Sequence, residues 1–294
     1  MNDAERRALN PRIVAILRCP LCNDGLVEAD RTLRCSLGHS FDVARQGYVN
    51  LLPGDARPHT ADTGEMVAAR VSFLASGLLE GVRAAIAEAA TGHLRAAGRE
   101  DGPPPCILDV GAGTGYYLSG VLDRLPDAFG LALDLSKHAA RRAVQAHERI
   151  GAAVCDVWQG LPVADESVAV LLDVFAPRNA PEFQRVLRRE GRLVVVTPTQ
   201  RHLHELVPAL RLLSVETRKQ QRIQRSFAGL FRLHDSHMYE EELRLSHPQV
   251  KALVEMGPSA RHRQGADRDE RIARLPRDVS ATVSVRIATY GLAH

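Results

Sequence analysis

The sequence predicts an α/β protein: a doubly wound parallel sheet with a small, metal-stapled segment in front of it. Between Cys106 and Pro198, short apolar runs alternate with helical periodicities, the pattern of strands joined by crossover helices. The first of these runs ends in Asp109-Val-Gly-Ala-Gly-Thr-Gly115, with glycine at every second position after a buried strand. Cys19, Cys22, Cys35 and His39 are spaced Cys-x2-Cys-x12-Cys-x3-His, which predicts the staple.

The bulk properties set limits. At 294 residues and 45% hydrophobic, the chain can hold one large domain or two unequal ones. No apolar run is long enough to span a bilayer, and the N-terminus lacks a signal-peptide core, so a cytoplasmic protein without a membrane role is expected. Of 38 basic residues only Lys137, Lys219 and Lys251 are lysine. Arginine suits bidentate phosphate contacts and base stacking, and a coding bias produces the same excess. Five cysteines in a cytoplasmic chain point to metal or thiol chemistry rather than a disulfide framework.

In chain order, residues 1–12 read as a polar leader. The two knuckles that follow each deliver two soft ligands, with Gly25 and Gly38 expected to supply their turns. The segment has few large apolar residues and needs a staple to fold. A closed Cys3His set leaves no open coordination position, so the zinc is expected to be structural. Cys106 and Cys155 fall in strands and read as core. Residues 41–52 belong to the small domain or to the strap that leaves it, and 53–62 is a Pro/Gly/Asp-rich linker. Helices are expected over 63–73 and 78–94, then a break at 98–105.

Strands follow at 106–110, 130–133, 152–155, 168–174 and 193–197, with helices at 116–125, 138–147 and 181–187. Beyond Pro198 the pattern gives a helix at 202–213, a polar stretch at 220–225, a strand at 237–245, a helix at 249–256 and a terminal strand at 279–290. The domain boundaries expected from this are a zinc-binding domain at 1–54, linker and helices at 55–104, and the sheet domain at 105–294.

The acidic residues at the strand ends select the ligand. In an open α/β sheet, ligands sit at the carboxyl ends of the strands near the topological switch point. Asp109 precedes the glycine turn, built from Gly111, Gly113 and Gly115. Asp134 ends the second strand, placed for ribose hydroxyls, and Asp156 ends the third, placed for an adenine amino group or its loop. A dinucleotide turn aims at a pyrophosphate, which an acid beside it would repel. The α-ammonium of S-adenosylmethionine is attracted instead.

These motifs carry a resemblance. The core resembles a class I S-adenosylmethionine-dependent methyltransferase with a Rossmann-like sheet. The whole chain resembles the 23S rRNA guanine-N1 methyltransferases with an N-terminal zinc knuckle, closest to the macrolide-resistance branch associated with tylosin and mycinamicin. The residues that carry it are Cys19-Pro-Leu-Cys22, Cys35-x3-His39-Ser-Phe-Asp, Gln46-Gly-Tyr-Val-Asn-Leu-Leu52, Asp62-Thr-Gly-Glu-Met-Val-Ala-Ala-Arg70, the turn Asp109–Tyr117, Leu133-Asp-Leu-Ser-Lys137, Phe175-Ala-Pro-Arg-Asn179, Val196-Thr-Pro-x3-His202-Leu and Met256-Gly-Pro-Ser.

The resemblance implies methyl transfer to N1 of a guanine in a domain II hairpin of 23S rRNA, bordering the macrolide site and peptide exit tunnel. It also implies a homodimer with a cleft for RNA. Cofactor contacts are implied for Tyr117, Leu118 and His202. Leu79 stands where relatives carry a contacting tyrosine, and Arg261 where they often carry a tryptophan.

Guanine N1 must lose a proton while charge builds on O6. In the loop after the fourth strand, Asp173 is the expected base, Phe175 the stacking platform for an extruded base, and Arg178 or Asn179 the donor to O6. The bland counterparts are a strand-end cap, a core aromatic and a surface charge. Arg12, Arg18, Arg31, Arg34 and Arg45 surround the zinc ligands and are placed to pair with phosphates, or to form a solvated basic face. Two other functions stay open at this level. One is a small-molecule, natural-product methyltransferase, which needs no zinc knuckle. The other is a zinc-dependent RNA-binding protein with a degenerate methyltransferase fold, against which the intact turn and acidic strand ends argue.

Overall fold

The computed structural model describes residues 9–54, 60–96, 103–213, 219–257, 260 and 265–293. The leader ends sooner than its composition implies. Helix α1 (Pro11–Ile16) starts at Pro11, capped by the Asn10 side chain, which accepts from the Arg12 N–H at 2.9 Å. Leu9, Ile13 and Val14 are buried.

Strands β1 (Val27–Ala29), β2 (Thr32–Arg34) and β3 (Ser40–Asp42) then form a small antiparallel sheet. The next strand, β4 (Tyr48–Asn50), leaves it and pairs in parallel with β7 (Ile150–Val154), at the edge of the large sheet. The strap therefore fastens the zinc segment to the main body. A second seam runs along residues 161–164, where Arg18 N–H donates to Pro162 O (3.0 Å) and Ala164 N–H to Ile16 O (2.8 Å).

Between strap and sheet lie α2 (Gly64–Leu74) and α3 (Glu80–Ala96). The alternating block follows: β5 (Cys106–Val110), α4 (Tyr116–Asp123), β6 (Phe129–Asp134), α5 (Lys137–Ala146), β7, β8 (Val168–Val174), α6 (Ala180–Val186) and β9 (Leu187–Pro198). The chain closes with α7 (Leu206–Leu210), α8 (Lys219–Phe227), β10 (Phe231–Leu245), α9 (His247–Glu255), α10 (Gly265–Ala273) and β11 (Val279–Leu292). The eight-stranded order is β10-β11-β9-β8-β5-β6-β7-β4, parallel from β9 to β4, with β11 and β10 antiparallel.

Strands β5 and β8 are buried along their whole length, as near-continuous apolar runs in a sheet covered on both faces must be. Ile86, Ile107, Leu118 and Leu172 pack on one face, and Ile13, Leu17, Leu108 and Phe183 on the other. Cys106 and Cys155 are core, as expected.

Four segments differ from expectation. Only Leu206–Leu210 of the run 202–213 is helical, because Leu203 takes a left-handed φ of 55° and donates its N–H to Thr282 O at 2.7 Å. The polar stretch 220–225 lies within helix α8. Strand β10 begins at Phe231, where its pairing with β11 starts, ahead of the alternation, because residues 232–235 are exposed and show none. Helix α10, with five charged residues in its nine and a buried Ile272, was not expected.

The chain leaves β5 toward β6 and β7, then returns to β8 on the other side of β5. That reversal opens a crevice between the loops after β5 and β8. No described helix is long and apolar enough to cross a membrane.

Candidate functional site

The crevice is built from a turn that only glycine can make. Gly111, Gly113 and Gly115 all have left-handed backbones, with φ of 69°, 55° and 75°. Each also faces a close neighbour. A Cβ on Gly111 would lie 2.6 Å from Ala176 Cβ, one on Gly113 3.2 Å from Arg70 Nη1, and one on Gly115 3.1 Å from Ala143 Cα. The turn is tied to the end of β6 by Gly111 and Ala112 N–H groups donating to Leu133 O at 2.8 and 3.0 Å.

Three carboxylates surround this turn, in different states. Asp109 is buried, and its Oδ1 has no hydrogen-bond partner among the described residues. Burial pushes its carboxyl well above the usual range, and the neighbouring Asp134 and Asp173 push further. An orphaned buried carboxylate oxygen is a fitting partner for an ammonium group. Asp134 accepts from Gly113 N–H (Oδ2, 2.8 Å) and Ser136 N–H (Oδ1, 2.8 Å), so it shapes the turn and keeps a lone pair on each oxygen. Asp156 caps the turn at Val157–Gln159, accepting from Trp158 N–H at 3.0 Å.

The aromatic wall comes from three elements. Tyr117 at the start of α4, Phe175 after β8 and His202 after β9 approach one another, with ring centroids 6.5 Å (Tyr117–Phe175) and 6.1 Å (Phe175–His202) apart. Phe175 is exposed and sits at φ 57°, a conformation held by its N–H donating to Val196 O at 3.1 Å. The Nδ1 of His202 accepts from Ser284 N–H at 3.3 Å, which leaves Nε2 to carry the proton of the neutral ring. Leu118 and Leu79 are buried in the apolar core, so the position of Leu79 offers packing and no hydroxyl.

The loop after β8 is braced from below. Asp173 is fully buried, with its Oδ2 3.0 Å from Arg178 Nε, and its Oδ1 accepts from Ala176 N–H at 3.3 Å. Asn179 Nδ2 donates to Val157 O at 2.8 Å, which locks this loop to the turn after β7. The Asp173 and Asn179 side chains are therefore engaged in holding the loop, while Phe175 faces outward.

The predicted metal ligands converge. One ligand atom from each of Cys19, Cys22, Cys35 and His39 lies within 4.8 Å of all the others. His39 Nδ1 is 3.5 Å from Cys19 Sγ and 3.3 Å from Cys35 Sγ, and Cys22 Sγ is 3.6 Å from Cys35 Sγ. Those separations fit the edges of a tetrahedron around zinc at about 2.3 Å from sulfur. Gly38 makes the second knuckle's left-handed turn, but in the first it is Asn23, not Gly25, that does so. Of the arginines around the ribbon, Arg31 donates to Val43 O and Ala44 O, and Arg18 to Ala15 O and Leu17 O. Arg34 is exposed.

Two residues escaped sequence reasoning. Arg70 of α2 reaches the glycine turn across a long sequence separation. Trp158, the single tryptophan, is 66% exposed on the turn that Asn179 locks in place. Arg261 lies outside the described residues.

The RlmA N-terminal zinc-ribbon family matches residues 17–57. A Streptomyces fradiae 23S rRNA (guanine(748)-N(1))-methyltransferase is 47% identical over 94% of this chain and 97% of its own. A Micromonospora griseorubida protein bearing the provisional name 23S rRNA (guanine-N(1)-)-methyltransferase is 50% identical over 96% and 99%. A Bacillus subtilis protein, provisionally named in the same way, is 34% identical over 65% and 67%.

Proposed function

The chain belongs to the 23S rRNA (guanine-N1)-methyltransferases, S-adenosylmethionine-dependent enzymes with an N-terminal zinc ribbon, and from that premise we propose that its target is a guanine in a domain II hairpin of 23S rRNA. The observation that carries the reading is near-half identity, along almost the full length of both chains, to a relative named for guanine 748. We further propose that the methyl group there protects the ribosome from macrolides, that the enzyme works in the cytoplasm, and that it is a homodimer.

When bound, S-adenosylmethionine supplies an electrophilic methyl and a neutral leaving group. The chain's own residues then orient and polarise. In our reading Asp109 takes the α-ammonium on its unpartnered Oδ1, and Gly111, Gly113 and Gly115 let the ligand lie against the backbone. Asp134 accepts from ribose hydroxyls with its spare lone pairs, and Asp156 fixes the adenine side of the site. Leu79 and Leu118 form the apolar floor, while Tyr117 and His202 stand beside the methionine end.

Phe175, exposed on a braced loop, stacks on the extruded guanine. In this reading the Asp173–Arg178 pair acts as a positioning device, and its guanidinium favours negative charge on O6 as N1 loses its proton to solvent. Asn179 holds the loop rather than donating to O6. The zinc ribbon grips RNA through exposed arginines such as Arg34, with Arg31 and Arg18 serving the ribbon's own backbone.

The test is incubation with labelled S-adenosylmethionine and 23S rRNA fragments, followed by mapping of the label. Label at N1 of a domain II hairpin guanine is the expected result. Label on a macrolide metabolite with none on RNA overturns the reading in favour of a natural-product methyltransferase. Cofactor binding without transfer overturns it in favour of a binding protein.

A further inference from the structure

The glycine turn is flanked by two complementary charges, and the site described so far uses only one of them. Arg70 lies two-thirds of the way along α2, largely withdrawn from solvent. Its Nη2 makes an ion pair with Asp62 Oδ2 at 2.7 Å and donates to Met256 O at 2.8 Å. Its Nη1 points at the turn, 3.2 Å from where a Gly113 Cβ would stand, and has no hydrogen bond among the described residues. On the same turn, the buried Asp109 Oδ1 also has no partner.

Both charges reach the same neighbour. Burial pushes the Tyr117 phenol up, Arg70 draws it down and Asp109 pushes it up again. Tyr117 begins the helix that follows the turn. The anionic and cationic groups thus flank one stretch of glycine backbone. That arrangement complements a zwitterion with an ammonium and a carboxylate on one carbon.

We propose that Arg70 Nη1 receives the α-carboxylate of S-adenosylmethionine, opposite Asp109, which receives the α-ammonium. The geometry explains why Gly113 must lack a side chain: a Cβ would press on the guanidinium where the carboxylate has to approach. It also gives Asp62 a task. By holding Nη2, Asp62 turns Nη1 toward the turn, so the end of the linker in front of α2 orients a cofactor ligand. Through Met256 O, the end of α9 shares the same anchor. The proposal rests on the cofactor and not on the RNA target.

The experiment is a calorimetric titration of the full chain with two probes, S-adenosylhomocysteine and its decarboxylated analogue, in which hydrogen replaces the α-carboxylate. Wild type is expected to bind the first about 10–100-fold more tightly, the worth of a charged hydrogen bond. In Arg70→Gln that preference disappears, with the analogue's affinity unchanged. Arg70→Lys carries the same comparison should Arg70→Gln unfold; one ammonium cannot serve Asp62 and the carboxylate together, so the preference falls several-fold. Equal weakening of both probes assigns Arg70 to a purely structural clamp and overturns the proposal. An undiminished preference in either variant overturns it as well.

Discussion

Gly111 and Ala176 bring the two halves of the site into contact. A Cβ on Gly111 would sit 2.6 Å from the Ala176 Cβ, so the glycine turn and the acceptor loop fit only because residue 111 has no side chain. Gly111→Ala meets both this clash and a φ of 69°. The left-handed backbone alone costs about 1–2 kcal/mol for an L residue. The expected result is a lowered unfolding midpoint with a still larger loss of methyl transfer, because Phe175 is displaced along with Ala176. Denaturant unfolding and single-turnover assays on the same preparation measure the two effects.

The Asp173–Arg178 pair supports the same loop from beneath. Asp173→Ala leaves the guanidinium buried without its carboxylate, and breaking a buried pair from one side costs about 3–5 kcal/mol. Asp173→Leu combined with Arg178→Met removes both charges and is expected to recover much of that stability while transfer stays low. The affinity for S-adenosylhomocysteine should stay within a few-fold in the double variant. Stability and transfer recovering in parallel would show that the pair acts through folding alone.

What the sequence made legible was local. The Cys3His spacing, the strand–turn–helix at 106–118 and the acids at strand ends are short-range patterns, and each is found in place. The unreadable features arise from long-range contact. Arg70 looks like any helical arginine until α2 packs beside Gly113 and α9. Strand β4 has three residues, too few to show a period, and only its pairing with β7 reveals it. Asn23 replaced Gly25 as the turn residue because asparagine tolerates a left-handed backbone nearly as well. That Arg178 and Ala176 engage Asp173 is likewise invisible in the sequence.

Cofactor affinity should depend on pH through Asp109. Burial first, then Asp134 and Asp173, raises its carboxyl well above 3.8, and only the carboxylate holds an ammonium. Below the raised value, binding therefore releases a proton, and affinity climbs with pH by up to about tenfold per unit there. The free protein behaves in the opposite sense. Its folded state binds this proton more tightly than the unfolded chain, so the group's contribution to stability is greatest below 3.8 and is lost as pH rises from there through the raised value. Titrations of S-adenosylhomocysteine in buffers of different ionisation enthalpy count the released proton. Asp109→Asn should abolish that release and flatten the profile.

Zinc removal should separate the two halves of the enzyme. Cys35→Ser takes one of four ligands from the ribbon, whose core is small, so its fold depends on the metal. The expected outcome is loss of bound zinc by atomic absorption and failure to methylate rRNA. The glycine turn is held by Leu133, Ala143 and Ala176 and by none of the zinc ligands, and S-adenosylhomocysteine affinity should change by less than about threefold. A collapse of cofactor binding would instead make the strap β4 a conduit for the ribbon's stability.

Trp158 offers a direct view of the RNA. It is the only tryptophan in the chain, exposed, and held at a fixed place by Asp156, which accepts its N–H, and by Asn179, which binds the carbonyl of Val157. It stands on the turn that leads into residues 161–164, against which the zinc segment packs, so RNA spanning the ribbon and Phe175 is expected to pass it. An indole stacked on a base contributes about 1–3 kcal/mol. Its fluorescence should be quenched on adding the target hairpin and be insensitive to S-adenosylhomocysteine. Trp158→Ala should raise the KM for rRNA about 5–100-fold, with kcat and cofactor affinity nearly unchanged. Unquenched emission under saturating RNA would place the RNA path on another face.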